Sequence, residues 1–288
     1  YNDIWNKGLL EYLEMLTVRL FLMKELLSEK GSIYVHLDFR IVHYVKVIMD
    51  YIFGRDRFLN EIIWAYKSGG TSKRYFSRKH DNILVYTKTE NYIFNPQKEK
   101  SYNRGLKPYR FKGVEEYEDE IGWYTLVNLK DVWQIDIIGR TSKERVGYGT
   151  QKPESLLEKI MLSSSNENSL VADFFAGSGT TAIVAEKNKR RWIVSDASKI
   201  SILTIRKRLL GIDRSVYRII GNNRGKDAVE LKKRIKSCDN GRILEIKLLK
   251  YNINIDKLRL KTQYKEGISE ILVNDSIALL DYVAVGYK

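Results

Sequence analysis

The sequence predicts an α/β fold with a nucleotide-type site at the carboxyl ends of parallel strands, and three observations predict it. A short apolar run, Leu170 to Phe175, leads into a glycine turn, Gly177-Ser178-Gly179, as a buried parallel strand does before its crossover. A helix pattern follows (Ala182, Ile183, Val184, Ala185) and runs to about Asn188. A second apolar strand, Trp192 to Val194, then leads to Asp196, and open α/β sheets bind ligands at such strand ends. Gly177 and Gly179 allow a sharp turn and admit a ligand with no Cβ in the way. Thr180 and Thr181 are expected to cap the helix.

The rest of the chain alternates helix and strand. Leu9, Leu10, Leu13, Leu16, Leu20, Met23 and Leu27 recur at helical spacing, and Gly31 ends that helix. Ser32 to Leu37 reads as a strand, Arg40 to Phe53 as a helix stopped by Gly54, and Phe58 to Tyr66 and Asn82 to Tyr86 as two further strands. Trp123 to Ile138 reads as irregular strands. Pro153 suits the first position of a helix from Glu154 to Ser163, whose buried face is Leu156, Leu157, Ile160 and Met161. Ile200 to Leu210 is expected to be a basic-faced helix, and Ile243 to Leu249 a strand among Lys-rich segments. There is no internal repeat and no low-complexity tract.

At 288 residues with 43% hydrophobic and 11% aromatic content, the chain can build one large α/β domain with an insertion, or two domains. The single cysteine, Cys238, excludes a disulfide framework, and His36, His43 and His80 lack metal-ligand spacing, so no metal is expected. No apolar run is long enough to span a membrane, which makes a cytoplasmic protein the default. Residue 1 is Tyr rather than Met, so a processed chain or a fragment is expected, and the carboxyl end is expected to stop within an element at Val283 to Lys288.

The net charge of +14 points to a polyanionic partner, with a solvated basic surface as the alternative. The charge is concentrated. Between Lys67 and Lys112 there are twelve Lys or Arg against three Asp or Glu, interleaved with Tyr75, Phe76, Tyr92, Phe94, Tyr102, Tyr109 and Phe111. Basic residues beside aromatics suit phosphate contact and base stacking, and Lys67, Lys73, Arg74, Arg78, Lys79, Arg104, Lys107 and Arg110 are the candidate nucleic-acid contacts. The competing reading makes the aromatics hairpin core and the lysines its solvent face. The acidic cluster Glu115, Glu116, Glu118, Asp119, Glu120 reads as a solvated turn.

A glycine loop alone is a weak signal. No Gly-Lys-Ser/Thr follows, which excludes a P-loop. Gly177-x-Gly179-x-x-Ala182, with an acidic residue about 20 positions on, fits a relaxed dinucleotide fingerprint. Against that, Asp173 and Phe175 precede the first glycine, and a basic, aromatic segment lies ahead of the loop. S-adenosylmethionine fits better: Asp173 can meet its cationic methionine end, and Asp196 its ribose hydroxyls. Asp196 also suits a helix N-cap, and the two roles can coexist.

These residues resemble the amino-group DNA methyltransferases, specific for adenine N6 or cytosine N4, and within them the permuted group in which the catalytic region precedes the cofactor loop. Asp173-Phe174-Phe175-Ala176-Gly177-Ser178-Gly179-Thr180-Thr181 resembles their cofactor motif. Thr150-Gln151-Lys152-Pro153-Glu154 and its leucine-rich helix resemble the segment packed over the methionine moiety. Gly31 to Asp38, Asn60 to Trp64 and Lys79 to Tyr86 resemble strands of the catalytic half. The resemblance covers roughly residues 1 to 212. It implies a circularly permuted, Rossmann-like methyltransferase fold with S-adenosylmethionine as cofactor. Its implied cofactor residues are Asp173, Phe174, Phe175, Ala176, Gly177, Ser178, Gly179, Thr180, Asp196, Thr150, Gln151 and Lys152. The implied segments are 1–90, a catalytic half; 91–148, an inserted target-recognition region; 149–212, a cofactor half; and 213–288, a small mixed α/β extension.

The resemblance further implies site-specific methylation of double-stranded DNA in restriction–modification, adenine N6 ahead of cytosine N4. The implied protein partner is a second copy of the chain or a restriction subunit. The chain departs from the family at one place. The family's tetrapeptide is Asp, Asn or Ser, then Pro-Pro, then an aromatic; here Pro96, Pro108 and Pro153 are never adjacent. In the family it lies upstream of the segment resembling Tyr1-Asn2-Asp3, so no catalytic residue is assigned and an inactive fragment is expected. The alternatives are a non-catalytic DNA-binding protein of the same fold and an RNA methyltransferase.

Overall fold

A computed structural model describes residues 8–212 and strands at 217–221, 230–238, 241–250, 262–264 and 282–286; Tyr1-Asn2-Asp3 and residues 287–288 lie outside the described residues. The chain forms two compact units. One holds residues up to Arg145 together with Lys152–Asn166; the other holds Val146–Gln151 together with residues from Glu167 onward.

The first unit is built on a four-stranded sheet of order β1-β3-β2-β7, with β1 Ser32–Leu37, β2 Phe58–Ala65, β3 His80–Thr87 and β7 Val132–Gln134. β3 runs antiparallel to both neighbours, and β7 adds parallel to β2. Strand side chains alternate between faces, so β3 serves two cores. Leu84 and Tyr86 pack against helices α1 (Leu9–Leu26) and α2 (Val42–Phe53) through Leu16, Leu20, Val45, Met49 and Ile52. Ile83 and Val85 pack on the other face with Ile62, Trp64, Trp133 and Leu156, the last from helix α3 (Glu154–Ser164). Pro153 is the N-cap of α3 rather than its first helical residue, with extended backbone at φ −61° and ψ 139°.

A separate antiparallel sheet of order β4-β6-β5 follows β3 in the chain: β4 Lys98–Tyr102, β5 Tyr117–Glu118 and β6 Trp123–Asn128. In the acidic cluster Glu115, Glu118 and Glu120 are exposed as expected, but Glu116 and Asp119 are tied into the fold. Glu116 accepts hydrogen bonds from the Tyr109 and Arg110 amides at 2.8 and 2.7 Å and from Asn103 Nδ2 at 2.6 Å, which closes the loop between β4 and β5. Asp119 accepts from Lys100 Nζ, Tyr102 Oη and the Ile121 amide. Short-range charge counting misses this, because the donors are backbone amides and side chains up to nineteen residues away.

In the second unit β8 (Leu170–Asp173) pairs parallel with β9 (Arg191–Asp196), and the sheet continues antiparallel through β14 (Tyr282–Gly286) to β10 (Tyr217–Gly221). β11 (Glu230–Cys238), β12 (Gly241–Lys250) and β13 (Thr262–Tyr264) form a further antiparallel sheet. β8 is parallel as expected but is shorter than its apolar run and lies at the sheet edge, with Leu170 and Ala172 exposed. Helix α4 (Thr180–Lys187) is buried from Thr180 to Glu186, and its Glu186 accepts a hydrogen bond from buried Trp192 Nε1 at 2.9 Å. Helix α5 (Lys199–Leu209) follows β9.

Candidate cofactor site

The loop between β8 and α4 is tied at every turn. The Gly177 amide donates to Asp196 Oδ2 at 2.7 Å, and the Ala176 amide to the Ser195 carbonyl at 3.0 Å. The end of β9 therefore holds the loop that follows β8. Asp196 Oδ1 accepts from the Ser198 amide at 2.8 Å, so the same carboxylate steers the chain into α5, whose N-cap is Ser198. Asp196 is therefore not the N-cap that its position suggested: Ser198 takes that place, and the Asp196 carboxylate accepts the Ser198 amide from two residues ahead of it.

Gly177 and Gly179 both take the left-handed conformation, at φ 53° and 75°. Gly179 is the N-cap of α4, and neither threonine caps the helix. Thr181 Oγ1 donates instead to Asp173 Oδ2 at 2.6 Å, while Thr180 Oγ1 meets Ser178 Oγ at 3.1 Å. With a glycine at the N-cap, the threonine hydroxyls brace the loop laterally. Asp173 Oδ1 accepts the Phe175 amide at 3.0 Å, so both its oxygens hold the loop, and burial pushes its carboxyl above the usual range. A carboxyl in this state favours a cationic neighbour, since positive charge offsets the cost of ionising it.

A side chain at Gly177 would meet the ring of Tyr148 at 3.5 Å, which places that ring against the loop. Thr150 and Gln151 lie on the same short segment: the Gln151 amide donates to the Tyr148 carbonyl, and Gln151 Oε1 accepts the Val146 amide. The second unit therefore gathers Phe174 to Thr180, Asp173, Asp196, Thr150 and Gln151. Phe175 is exposed and Ala176 buried. A loop with no Cβ at Gly177, and carboxyls at the ends of both strands in Asp173 and Asp196, suit a ligand with hydroxyls at one end and positive charge at the other. The residues present fit S-adenosylmethionine.

Lys152 belongs to the first unit. Its Nζ lies 5.2 Å from the centre of the Trp64 ring, and burial lowers its pKa against the pull of Asp81. His36 Nε2 is 3.0 Å from Asp81 Oδ2, and its ring meets Trp64 edge-on at 5.4 Å. Burial pushes the His36 imidazole below its ordinary 6.5, outweighing the Asp81 hydrogen bond. The fold thus prefers neutral His36. Its contribution is whole above pH 6.5 and is lost as pH falls below 6.5 through the lower folded value. His36→Gln is expected to flatten the dependence of melting temperature on pH between about 7.5 and 5; an unchanged slope would contradict this. Asp81 is also held below its ordinary 3.8, despite burial, so its own titration lies outside that window.

The candidate nucleic-acid contacts fall on two loops of the first unit. Lys67, Lys73, Arg74, Arg78 and Lys79 lie between β2 and β3; Arg104, Lys107 and Arg110 lie between β4 and β5. Lys79 closes its own loop by donating to the Gly69 carbonyl at 2.7 Å. The Arg78 guanidinium sits over Phe39 and Tyr75, at 4.1 and 4.7 Å from the ring centres. Lys67, Lys73, Arg74, Arg104, Lys107 and Arg110 are exposed. So are Tyr75, Phe76 and Phe111, with Phe76 98% exposed, which is not the burial of hairpin core. Among the described residues no group of three or more His, Cys, Asp or Glu is placed to hold a metal ion, and no helix is long and apolar enough to cross a membrane.

A DNA methylase family profile matches residues 3–207. The chain is 30% identical over 184 residues to the type II methyltransferase M.HpaI of Haemophilus parainfluenzae, covering 64% of this chain and 54% of the relative. It is 32% identical over 141 residues to the DNA adenine methyltransferase YhdJ of Escherichia coli K12, covering 46% of each. The chain thus spans about half the length of these relatives. The solved structure of the PvuII DNA methyltransferase, described as cytosine-N4-specific, shares the fold over 75% of both chains at a TM-score of 0.52 and 17% identity. With a family match over well over half its length, this chain belongs to the N6/N4 DNA methylase family.

Proposed function

We propose that this chain binds S-adenosylmethionine at the glycine loop and double-stranded DNA on its basic loops, as part of a restriction–modification methyltransferase. The reaction is methyl transfer to an exocyclic amine of DNA, adenine N6 ahead of cytosine N4, and the order of elements is read as the permuted arrangement. The observation that carries the reading is Asp196, which stands at the end of β9 and holds the Gly177 amide of the glycine loop. When bound, S-adenosylmethionine supplies an activated methyl group on a sulfonium. The chain's own contribution is positioning: Asp196 takes ribose hydroxyls, Asp173 sets the charge of the loop, Gly177 admits close approach, and Gly179 lets the loop pack on α5. Lys152 is assigned to the cofactor on the resemblance of its motif. A second copy of the chain or a restriction subunit is the proposed protein partner.

The three prolines at 96, 108 and 153 leave no Pro-Pro pair in these 288 residues. This favours a second reading, a DNA-binding protein of the same fold that does not itself catalyse. The two readings separate on cofactor binding, which a pure DNA binder does not need. The 288-residue chain is expected to bind S-adenosylmethionine yet transfer little labelled methyl to duplex DNA. Robust transfer would contradict the importance given to the Pro-Pro tetrapeptide; loss of cofactor binding in a folded chain would favour the second reading.

DNA contact has its own test. Arg104, Lys107 and Arg110 project from a loop framed by Glu116 through backbone amides, so their side chains can be removed without losing that frame. Replacing all three by Ala is expected to reduce the slope of log affinity against log salt for duplex DNA by about 2–3, near 0.9 for each phosphate no longer neutralised. An unchanged slope would remove this loop from the interface. Preference for RNA over duplex DNA in competition would redirect the reading to an RNA substrate.

A further inference from the structure

The basic face of α5 is not simply solvated. Arg208 Nη1 donates to the Ser178 carbonyl at 3.0 Å and to Thr180 Oγ1 at 3.0 Å, and lies 3.4 Å from Ser178 Oγ. About two turns earlier on the helix, Ser201, fully buried, donates to the Gly177 carbonyl. Two successive carbonyls of the glycine loop are therefore held by one helix. In a trans peptide the N–H points opposite to the C=O. Holding the Gly177 and Ser178 carbonyls towards α5 turns the Ser178 and Gly179 amides away from it. The Gly179 amide accordingly reaches the Ala176 carbonyl at 2.7 Å. On the other side, the Gly177 amide is taken by Asp196. The loop is clamped from both sides before any ligand arrives.

Two left-handed residues within three positions make this loop one that would otherwise sample many conformations, glycine being the residue that loses most freedom on ordering. A charged donor to a main-chain carbonyl is among the stronger hydrogen bonds. We propose that Arg208, with Ser201, is a positioning residue for cofactor binding: it holds the glycine loop in its binding conformation by fixing the Gly177 and Ser178 carbonyls. This rests on the reading of the loop as the S-adenosylmethionine site.

The test is amide hydrogen exchange of the whole chain together with calorimetric titration of S-adenosylmethionine, for wild type, Arg208→Met, Arg208→Lys and Ser201→Ala. In Arg208→Met, exchange across 174–179 should rise at least about tenfold while α5 keeps its protection, and affinity should fall at least about tenfold. Arg208→Lys, which keeps a cationic donor within reach of the Ser178 carbonyl, should recover part of both losses. Ser201→Ala should show the same pattern more weakly and serves if Arg208→Met fails to fold. Unchanged loop exchange and affinity in a folded Arg208→Met would overturn the proposal. So would equal loss of protection in the loop and throughout α5, which marks a purely structural contact. If loop exchange responds but wild type binds no S-adenosylmethionine, the positioning of the loop stands and the assignment of its ligand fails.

Discussion

Gly179→Ala should unfold the second unit at a markedly lower temperature and abolish the proposed cofactor binding. Two independent costs fall on that one methyl group. The backbone sits at φ 75°, where a side chain costs about 1–2 kcal/mol. The added Cβ would also lie 2.4 Å from Ile205 Cγ1 and 3.2 Å from Ile205 Cβ. Ile205 is 1% exposed in the face of α5 turned to the loop, so it has little room to move. Overpacking of this kind costs roughly 1–3 kcal/mol. Together, about 2–5 kcal/mol is expected, a large share of the stability of an ordinary domain. Gly70→Ala is the control: nothing lies within 4 Å of its added Cβ, and a change within about 0.5 kcal/mol is expected. Equal melting temperatures for the two variants would contradict the packing of Gly179 against α5.

Asp196→Ala should weaken S-adenosylmethionine binding about 100-fold or more. The variant removes the acceptor of the Gly177 and Ser198 amides, and with it the link between the end of β9, the glycine loop and the start of α5. It also removes the carboxylate assigned to the ribose hydroxyls. Hydrogen bonds to a charged group contribute roughly 1.5–3 kcal/mol each, so removing those to the ribose and disordering the loop together exceed two orders of magnitude. Asp196→Asn keeps one carbonyl oxygen and should be intermediate, weaker by about tenfold. A variant that melts earlier but binds as wild type would reduce Asp196 to a structural brace.

Sequence periodicity made the helices and strands legible where burial follows local pattern. The apolar run Ile83 to Tyr86 foretells the strand β3, and the glycine spacing at Gly177 and Gly179 foretells the turn. What could not be read locally was the partner of each polar group. Thr180 and Thr181 stand where caps stand, yet Asp173 and the neighbourhood of Ser178 and Arg208 take their hydroxyls, because Gly179 already occupies the cap position. The apolar run at Leu170 suggested a buried strand; β8 ends its sheet, with Leu170 and Ala172 exposed. Glu116 looked like one charge in a solvated cluster, but the folding back of the β4–β5 loop brings it three donors. Arg208 looked like surface charge because its two loop partners lie 28 and 30 residues earlier. The motif residues of the cofactor loop were legible; the residues that hold it still were not.

The most direct test of the central claim is a pair of calorimetric titrations of the folded chain, one with S-adenosylmethionine and one with a nicotinamide dinucleotide. A glycine loop followed by an acidic strand end could in principle serve either ligand. Asp173 before the glycines favours the first, because its carboxyl suits the cationic methionine end. The account predicts saturable binding of one S-adenosylmethionine per chain and no measurable heat from the dinucleotide. Binding of the dinucleotide, or no binding of S-adenosylmethionine by a chain that melts cooperatively, would contradict it.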